Sequence, residues 1–321
     1  MKELDNRVTL ADAAAMLGIS RVAVTKKLTL LGIEPIQIRK GNTEVQGLTP
    51  EHLRHLRSSR AGTSPVPGRP LVLSFQGCKG GIGKSTLSYN FALRASQYGL
   101  RVLCIDTDQQ SHLTLCLCGK APGNRCWYDL LEGQTTLREA IVPWREYLHI
   151  VPGTIHLALI DYKYNDRAHP EALFGRYLEE VEADYDLVVV DCAPSLSLLN
   201  QAVAYASDRI VIPQTPSRLS FDGLELTINF LEDLHENFEK QLDVRILCNM
   251  VEPDELSSIR IISHLSKTYG EALCRTFVHR SQTFLEAIDA GTSVFDYTLK
   301  ADTARDDLDA LTRELLADRL S

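Results

Sequence analysis

No run of 18 apolar residues occurs in the 321-residue chain, so no segment reads as a membrane span. The opening MKELDNRVTL has no apolar core, which argues against a secretory leader and for a cytoplasmic protein. C-x-x-C pairs are absent from the eight cysteines, Cys78, Cys104, Cys116, Cys118, Cys126, Cys192, Cys248 and Cys274; Cys116-Leu117-Cys118 followed by Cys126 lacks the spacing of a metal site. Several sit in apolar runs such as VLCID and VVVDC, as small buried hydrophobes of a reducing compartment do. Positive charge is not in excess either. The 34 Lys and Arg against 42 Asp and Glu leave a net charge of −8, which excludes a basic coat over the whole molecule.

What is present is unevenly distributed. Hydrophobic residues make up 44% of the chain, enough for a large core, and the length suits about two domains. Residues 1–60 carry ten Lys and Arg and six Asp and Glu, a net charge of +4, which leaves −12 on the remainder. This asymmetry suggests a small DNA-facing module joined to an acidic globular domain. The stretch SSRAGTSPVPGRP, residues 58–70, has the composition of a linker between them.

In residues 1–57, VTLADAAAMLGISRVAVTKKLTLLGI holds two helix signals. Thr9 is placed to cap the first, with Asp12 in the capping-box position, and Leu10, Ala13, Ala14 and Leu17 share a face. Gly18 marks a turn. Ser20 caps the second helix, whose Val24, Leu28 and Leu31 are expected inside, leaving Arg21, Thr25, Lys26 and Lys27 outside. IQIRKGNTEVQGL alternates about a Lys40-Gly41-Asn42 turn as a hairpin would, presenting Arg39 and Lys40, and Thr49-Pro50-Glu51 starts a third helix. The whole resembles a winged helix-turn-helix of the MerR type. A helical protein-docking domain with a solvated basic face is the competing reading.

From residue 71 to 321, short apolar runs alternate with helical spacing. The runs 71–75, 101–106, 148–152, 185–191, 209–213 and 244–249 read as buried strands, and 85–99, 170–183, 196–207 and 221–238 as helices, with a closing amphipathic helix in ADTARDDLDALTRELLADRL. The pattern predicts an α/β fold, a mostly parallel sheet flanked by helices, with ligands at the carboxyl ends of its strands. At the end of the first strand stands QGCKGGIGKST, residues 76–86. The ordinary phosphate-loop pattern would put glycine where Cys78 is; the match is K-G-G-x-G-K-S from Lys79 to Ser85. Amides of Gly80, Gly81, Ile82, Gly83 and Lys84 would cradle phosphate at a helix N-terminus. Lys84 would neutralise β/γ oxygens, Ser85 would meet Mg²⁺, and Thr86 the α-phosphate. RVLCIDTDQQS ends with Asp106 and Asp108, and YDLVVVDCAPSL with Asp191, the acid expected to hold Mg²⁺ through water.

The lysine at position 79, five residues before Lys84, identifies the loop as the deviant Walker type of the ParA/MinD family, a P-loop NTPase fold. The resemblance covers residues 71–300, including FVHRSQTFLEAIDAGTSVFDY. It implies ATP and Mg²⁺ as cofactors and slow ATP hydrolysis. Lys79 would reach the partner's γ-phosphate across a nucleotide-sandwich homodimer. Asp106 would lie near the metal, and Asp108 would position the attacking water. Asn249, and Pro213-Gln214, are placed to meet adenine. The usual proline after D-x-D is Gln109 here, which leaves that switch loop less rigid. Arg260, Lys267, Arg275 and Arg280 are candidates for contacting nonspecific DNA; solvated faces paired with Glu are the bland alternative. The acidic tail from Asp302 to Leu320 departs from the basic membrane helix of MinD relatives, so no membrane partner is expected. The N-terminal module resembles that of the larger, regulatory ParA proteins. These are nucleoid-associated, segregate plasmids or chromosomes with a ParB-like centromere-binding partner, and repress their own operon. The alternatives are an ATPase positioning a protein cargo through an adaptor (a chemoreceptor array or microcompartment), or a nucleotide-sensing repressor bound at an operator.

Overall fold

The computed structural model describes residues 6–40, 43–61, 68–119, 125–164, 173–217, 220–297 and 302–320. The chain begins with strand β1 (Val8–Thr9), followed by helices α1 (Leu10–Leu17) and α2 (Arg21–Leu31). Thr9 caps α1, accepting the Asp12 amide at 3.1 Å, while the Asp12 carboxylate reaches back to the Thr9 hydroxyl at 2.8 Å. Gly18 ends the helix at φ 62°, a left-handed angle that would strain a side chain. Ser20 caps α2 through the Ala23 amide. Strands β2 (Ile36–Lys40) and β3 (Thr43–Leu48) pair antiparallel, β1 adds to β3, and α3 (Pro50–Ala61) follows. Two features differ from expectation. Leu31, in the last turn before Gly32 ends the helix, is 42% exposed rather than internal, and α3 continues through residues 58–61 of the expected linker. Gly41, Asn42 and residues 62–67 lie outside the described residues, as do the side chains of Arg39 and Lys40.

The larger unit is an eight-stranded sheet. Its strands are β4 (Leu71–Phe75), β5 (Val102–Asp106), β6 (Val142–Arg145), β7 (Leu148–Val151), β8 (Leu187–Asp191), β9 (Arg209–Gln214), β10 (Asp243–Val251) and β11 (Val278–His279). They run in the order β11-β10-β9-β4-β8-β5-β7-β6, parallel except for β6 against β7. The central strands are continuous apolar runs because helices cover both faces. Alternate residues serve opposite cores: Leu71, Leu73, Phe75, Val102 and Cys104 face one, Val72, Leu103, Ile105, Val188 and Val190 the other. Strands β1, β6 and β11 have only two to four residues, too few to show a period in sequence.

Helix α4 (Lys84–Gln97) crosses the first core, and the closing helix Thr303–Leu315 packs on it through Arg94, whose Nε donates to Asp309 at 2.6 Å. The end of α4 is also the seat of the N-terminal module. Tyr98, 2% exposed, belongs to the apolar cluster of Val8, Leu28, Leu53 and Leu56. Arg54 of α3 reaches Asp186 at 2.5 Å, and Arg101 shares that carboxylate at 3.0 Å. Burial pushes the Asp186 carboxyl up, but hydrogen bonds from the two guanidinium groups outweigh it and hold the group below the usual range. Arg57 donates to the Tyr98 carbonyl, and Arg305 of the closing helix pairs with Asp12.

Gly99 makes this joint possible. Its φ is 85°, and a Cβ there would stand 2.6 Å from the Arg54 nitrogen and 2.7 Å from the Pro50 oxygen. Gly99→Ala is expected to cost about 1–3 kcal/mol through backbone collision and strain. Urea denaturation reads this directly; a variant as stable as the parent would show that α3 does not sit this tightly on α4.

Candidate nucleotide site

The loop Gln76–Gly83 joins β4 to α4 at the carboxyl edge of the sheet. Gly77, Gly81 and Gly83 take φ of 146°, 74° and 90°, which turn the backbone so that α4 can begin at Lys84. Gly80 and Gly81 are exposed at the tip, with open space where a Cβ would be. Lys84 is 6% exposed and its ammonium donates to the Lys79 carbonyl at 3.0 Å. Burial lowers its pKa, opposed first by Asp191. A buried cation held by a carbonyl of the loop itself is poised to exchange that acceptor for an anion oxygen.

Strands β4, β5 and β8 are neighbours, so Asp106 and Asp191 are Cα partners at their ends. Asp191 is fully buried. Its Oδ1 accepts from the Ser88 hydroxyl at 3.2 Å, whereas its Oδ2 has no hydrogen-bond partner among the described residues. Burial pushes this carboxyl up to about 8, Asp106 adds to the shift, and a hydrogen bond from Ser85 opposes it. An orphaned, buried carboxylate oxygen beside a serine hydroxyl fits a divalent cation held between them. Asp106 is engaged differently from expectation. One of its oxygens accepts the Asp108 amide at 3.1 Å, the other the Thr114 amide and hydroxyl at 2.8 and 2.6 Å. It therefore anchors the helix His112–Cys118 under the site, and Gly153 packs against it so closely that a Cβ would lie 2.8 Å from its carbonyl oxygen. Asp108, 4% exposed, turns the next loop by accepting the Gln110 amide at 2.9 Å.

A cavity opens between the end of β10 and the helix Gln282–Asp289, lined by Gly83, Thr86, Asn249, Met250, Ser281 and Phe284 among others. Asn249 lines it and also braces the loop, donating to the Ile82 carbonyl at 2.8 Å. Pro213 and Gln214 do not reach this cavity. They end β9, which is hydrogen-bonded between β4 and β10, and both are buried one strand away. They lie apart from this cavity, at the end of the neighbouring strand.

The DNA candidates are scattered. Arg21, Thr25 and Lys26 are exposed on α2 and Lys27 is half-buried. Arg260 and Lys267 are exposed, two turns apart on the helix Leu256–Tyr269. Arg275 is exposed with Glu314 at its backbone amide, 2.7 Å away. Arg280, just after β11, lines the cavity and pairs with Glu252 at 2.5 Å. Ser88 and Thr114 are the supporting residues that sequence reasoning missed. Ser88 stands one helical turn after Lys84, which is the signal that would have found it.

Residues 71–244 match the protein family described as an AAA domain. The chain is 31% identical over 271 residues to the cell division protein PomZ of Myxococcus xanthus, covering 83% of this chain and 84% of that one. It is 29% identical to the sporulation initiation inhibitor protein Soj of Bacillus subtilis, covering 77% and 98%. The fold is similar to apo McdA of Cyanothece, with a TM-score of 0.70 at 17% identity over 76% of this chain and 99% of that one. A similar likeness, TM-score 0.67 at 20% identity, is to a plasmid partition protein of Borrelia burgdorferi bound to AMPPNP, covering 78% and 100%.

The buried acids make stability depend on pH. Asp106 is pushed up to about 6 and Asp191 to about 8, both chiefly by burial, so each binds its proton more tightly folded than unfolded. Their ionisation opposes folding: the stability these two groups contribute is fully present below the ordinary carboxylate pKa and is lost as pH rises through their raised range. Thermal melts of nucleotide-free protein should therefore decline over that window, and Asp191→Asn should flatten the decline. Parallel slopes for the two proteins would sink the assignment.

Proposed function

The chain belongs to the ParA family of P-loop ATPases, and from that premise we propose a partition ATPase whose ATP-bound homodimer coats DNA and is released by hydrolysis. The observation that carries this reading is Lys84, buried, with its ammonium on the Lys79 carbonyl beside an unsatisfied Asp191 oxygen. These are the partners that a triphosphate and Mg²⁺ replace. Amides from Gly80 to Lys84 hold the phosphates, Ser85 and Asp191 hold the metal, Thr86 meets the α-phosphate, and the base enters the cavity beside Asn249 and Met250. The metal supplies charge neutralisation of the phosphates when bound. Asp108 orients the attacking water.

Lys79 answers why one loop carries two lysines. Both would repel in an empty loop, and the resemblance to the ParA/MinD loops assigns the extra cation to a partner subunit's phosphate. Charge stabilisation of this kind is worth about 10²–10³ in rate. The module of α1, α2 and the β2–β3 hairpin acts as a winged helix-turn-helix, with Arg21, Thr25 and Lys26 of α2 facing an operator and Arg39 and Lys40 on the hairpin. Arg260, Lys267 and Arg275 give the nonspecific DNA contacts, and a ParB-like protein stimulates turnover. A protein cargo is the second reading, favoured by the 31% identity to a cell division protein.

Dimerisation, turnover and DNA binding test this. Lys79→Ala should bind ATP normally yet form no ATP-dependent dimers by sedimentation, whereas Asp108→Ala should dimerise and hydrolyse poorly; normal dimers in the first or normal turnover in the second would refute the assigned role. Binding to random-sequence DNA should require the triphosphate state and weaken steeply with salt. Removing Arg260 and Lys267 should flatten that salt slope by about one unit per lost phosphate contact. Binding confined to the protein's own promoter, whatever the nucleotide, would move the repressor function to first place. Co-localisation with a division or signalling assembly instead of DNA would favour the protein cargo.

A further inference from the structure

The first turns of the helix Phe221–Phe238 lie against the loop just before its first lysine. Thr227, 1% exposed, accepts the Cys78 amide at 3.3 Å and donates its hydroxyl to the Gly223 carbonyl at 2.7 Å. The Cys78 thiol donates to the same carbonyl at 3.1 Å. A Cβ on Gly223 would stand 3.3 Å from Lys79 Cβ and 3.5 Å from Cys78 Sγ, so a methyl group there would press on the first carbon of the lysine side chain. On the other side, the Lys84 ammonium holds the Lys79 carbonyl at 3.0 Å. The backbone of Lys79 is thus gripped on both flanks.

A lysine stem is long and flexible, so where its ammonium reaches depends on the direction in which the Cα–Cβ bond leaves the backbone. We propose that Thr227 and Gly223 are positioning residues for Lys79. The hydroxyl fixes the Gly77–Cys78 peptide, and the bare glycine leaves room for the side chain to run out of the loop toward the phosphates of a second copy of this chain. This rests on the reading of Lys79 as a cross-subunit cation and deepens it. A general propping of the loop would change nucleotide affinity and dimerisation together; positioning of Lys79 changes dimerisation and turnover alone.

The test compares Thr227→Val, which keeps the shape and removes the hydroxyl, with Thr227→Ser, Gly223→Ala and Lys79→Ala. Mg–ADP affinity, ATP-dependent dimer formation by sedimentation, kcat and KM are measured for each. Thr227→Val is expected to bind ADP like the parent and to dimerise about three- to tenfold more weakly, the effect of one lost hydrogen bond. Its kcat should fall with KM unchanged, and Thr227→Ser should restore both. Gly223→Ala should repeat the defect from the neighbouring position and serves if the valine variant does not fold. Normal dimers in Thr227→Val and Gly223→Ala beside failed dimers in Lys79→Ala would overturn the positioning role alone. Loss of ADP affinity along with the dimers would overturn it too, in favour of general propping. Normal dimers in Lys79→Ala would overturn the underlying reading of that lysine and this proposal with it.

Discussion

A buried lysine and three buried aspartates around one turn of backbone set the terms for the rest of the molecule. Removing such charges from water is costly unless each is paired or hydrogen-bonded. The surrounding structure meets that cost residue by residue. Asp106 is satisfied by Thr114 and the Asp108 amide, Asp108 by the Gln110 amide, and half of Asp191 by Ser88. Lys84 takes a carbonyl of its own loop. Among the described residues one buried carboxylate oxygen of this cluster is left over, Asp191 Oδ2, and it lies where a cation fits between strand and loop. The supporting residues come from α4, the helix His112–Cys118 and the loop after β7, so the charge cluster ties together elements far apart in sequence.

Helix α4 has a different task at each end. Its N-terminus adds a partial positive charge to the loop, as helix ends do for anions. Its C-terminus is capped by the turn at Tyr98 and Gly99, onto which α3 docks with its backbone almost touching. Strand β8 has the same double character, since Asp186 just before it receives Arg54 of α3 while Asp191 ends it under the loop. The N-terminal module is therefore seated on the two elements that carry the phosphate loop's helix and its deepest acid. Docking leaves the outer face of α2 open, with Arg21, Val22, Lys26 and Leu30 exposed.

Much of this was legible in the chain itself. The strands around the site follow from continuous apolar runs, and the helix Phe221–Phe238 matches its predicted limits. The two N-terminal caps follow from Thr9 with Asp12 and from Ser20, because capping uses atoms three residues apart. K-G-G-x-G-K-S places a loop and its helix by local backbone geometry alone. The acids at strand ends are legible for the same reason: each closes an apolar run.

Relations across the sheet were decided by the tertiary structure. Whether Asn249 or Pro213-Gln214 meets the cavity depends on which strand ends beside it. Strand order is set by long-range pairing, and no local pattern carries it. That Thr114 lies beneath Asp106, and that β11 brings Arg280 to the rim of the cavity beside Glu252, follows only from the fold. Gly99 and Gly223 are ordinary glycines in sequence; only the approach of α3 shows why a side chain collides at the first, and only the approach of Lys79 why one would crowd the second. The sequence by itself determined the chemistry of the loop, since that is written in neighbouring residues. The tertiary structure decided which distant residues satisfy its buried charge, because hydrogen bonds and ion pairs between strands depend on packing that no short stretch of chain contains.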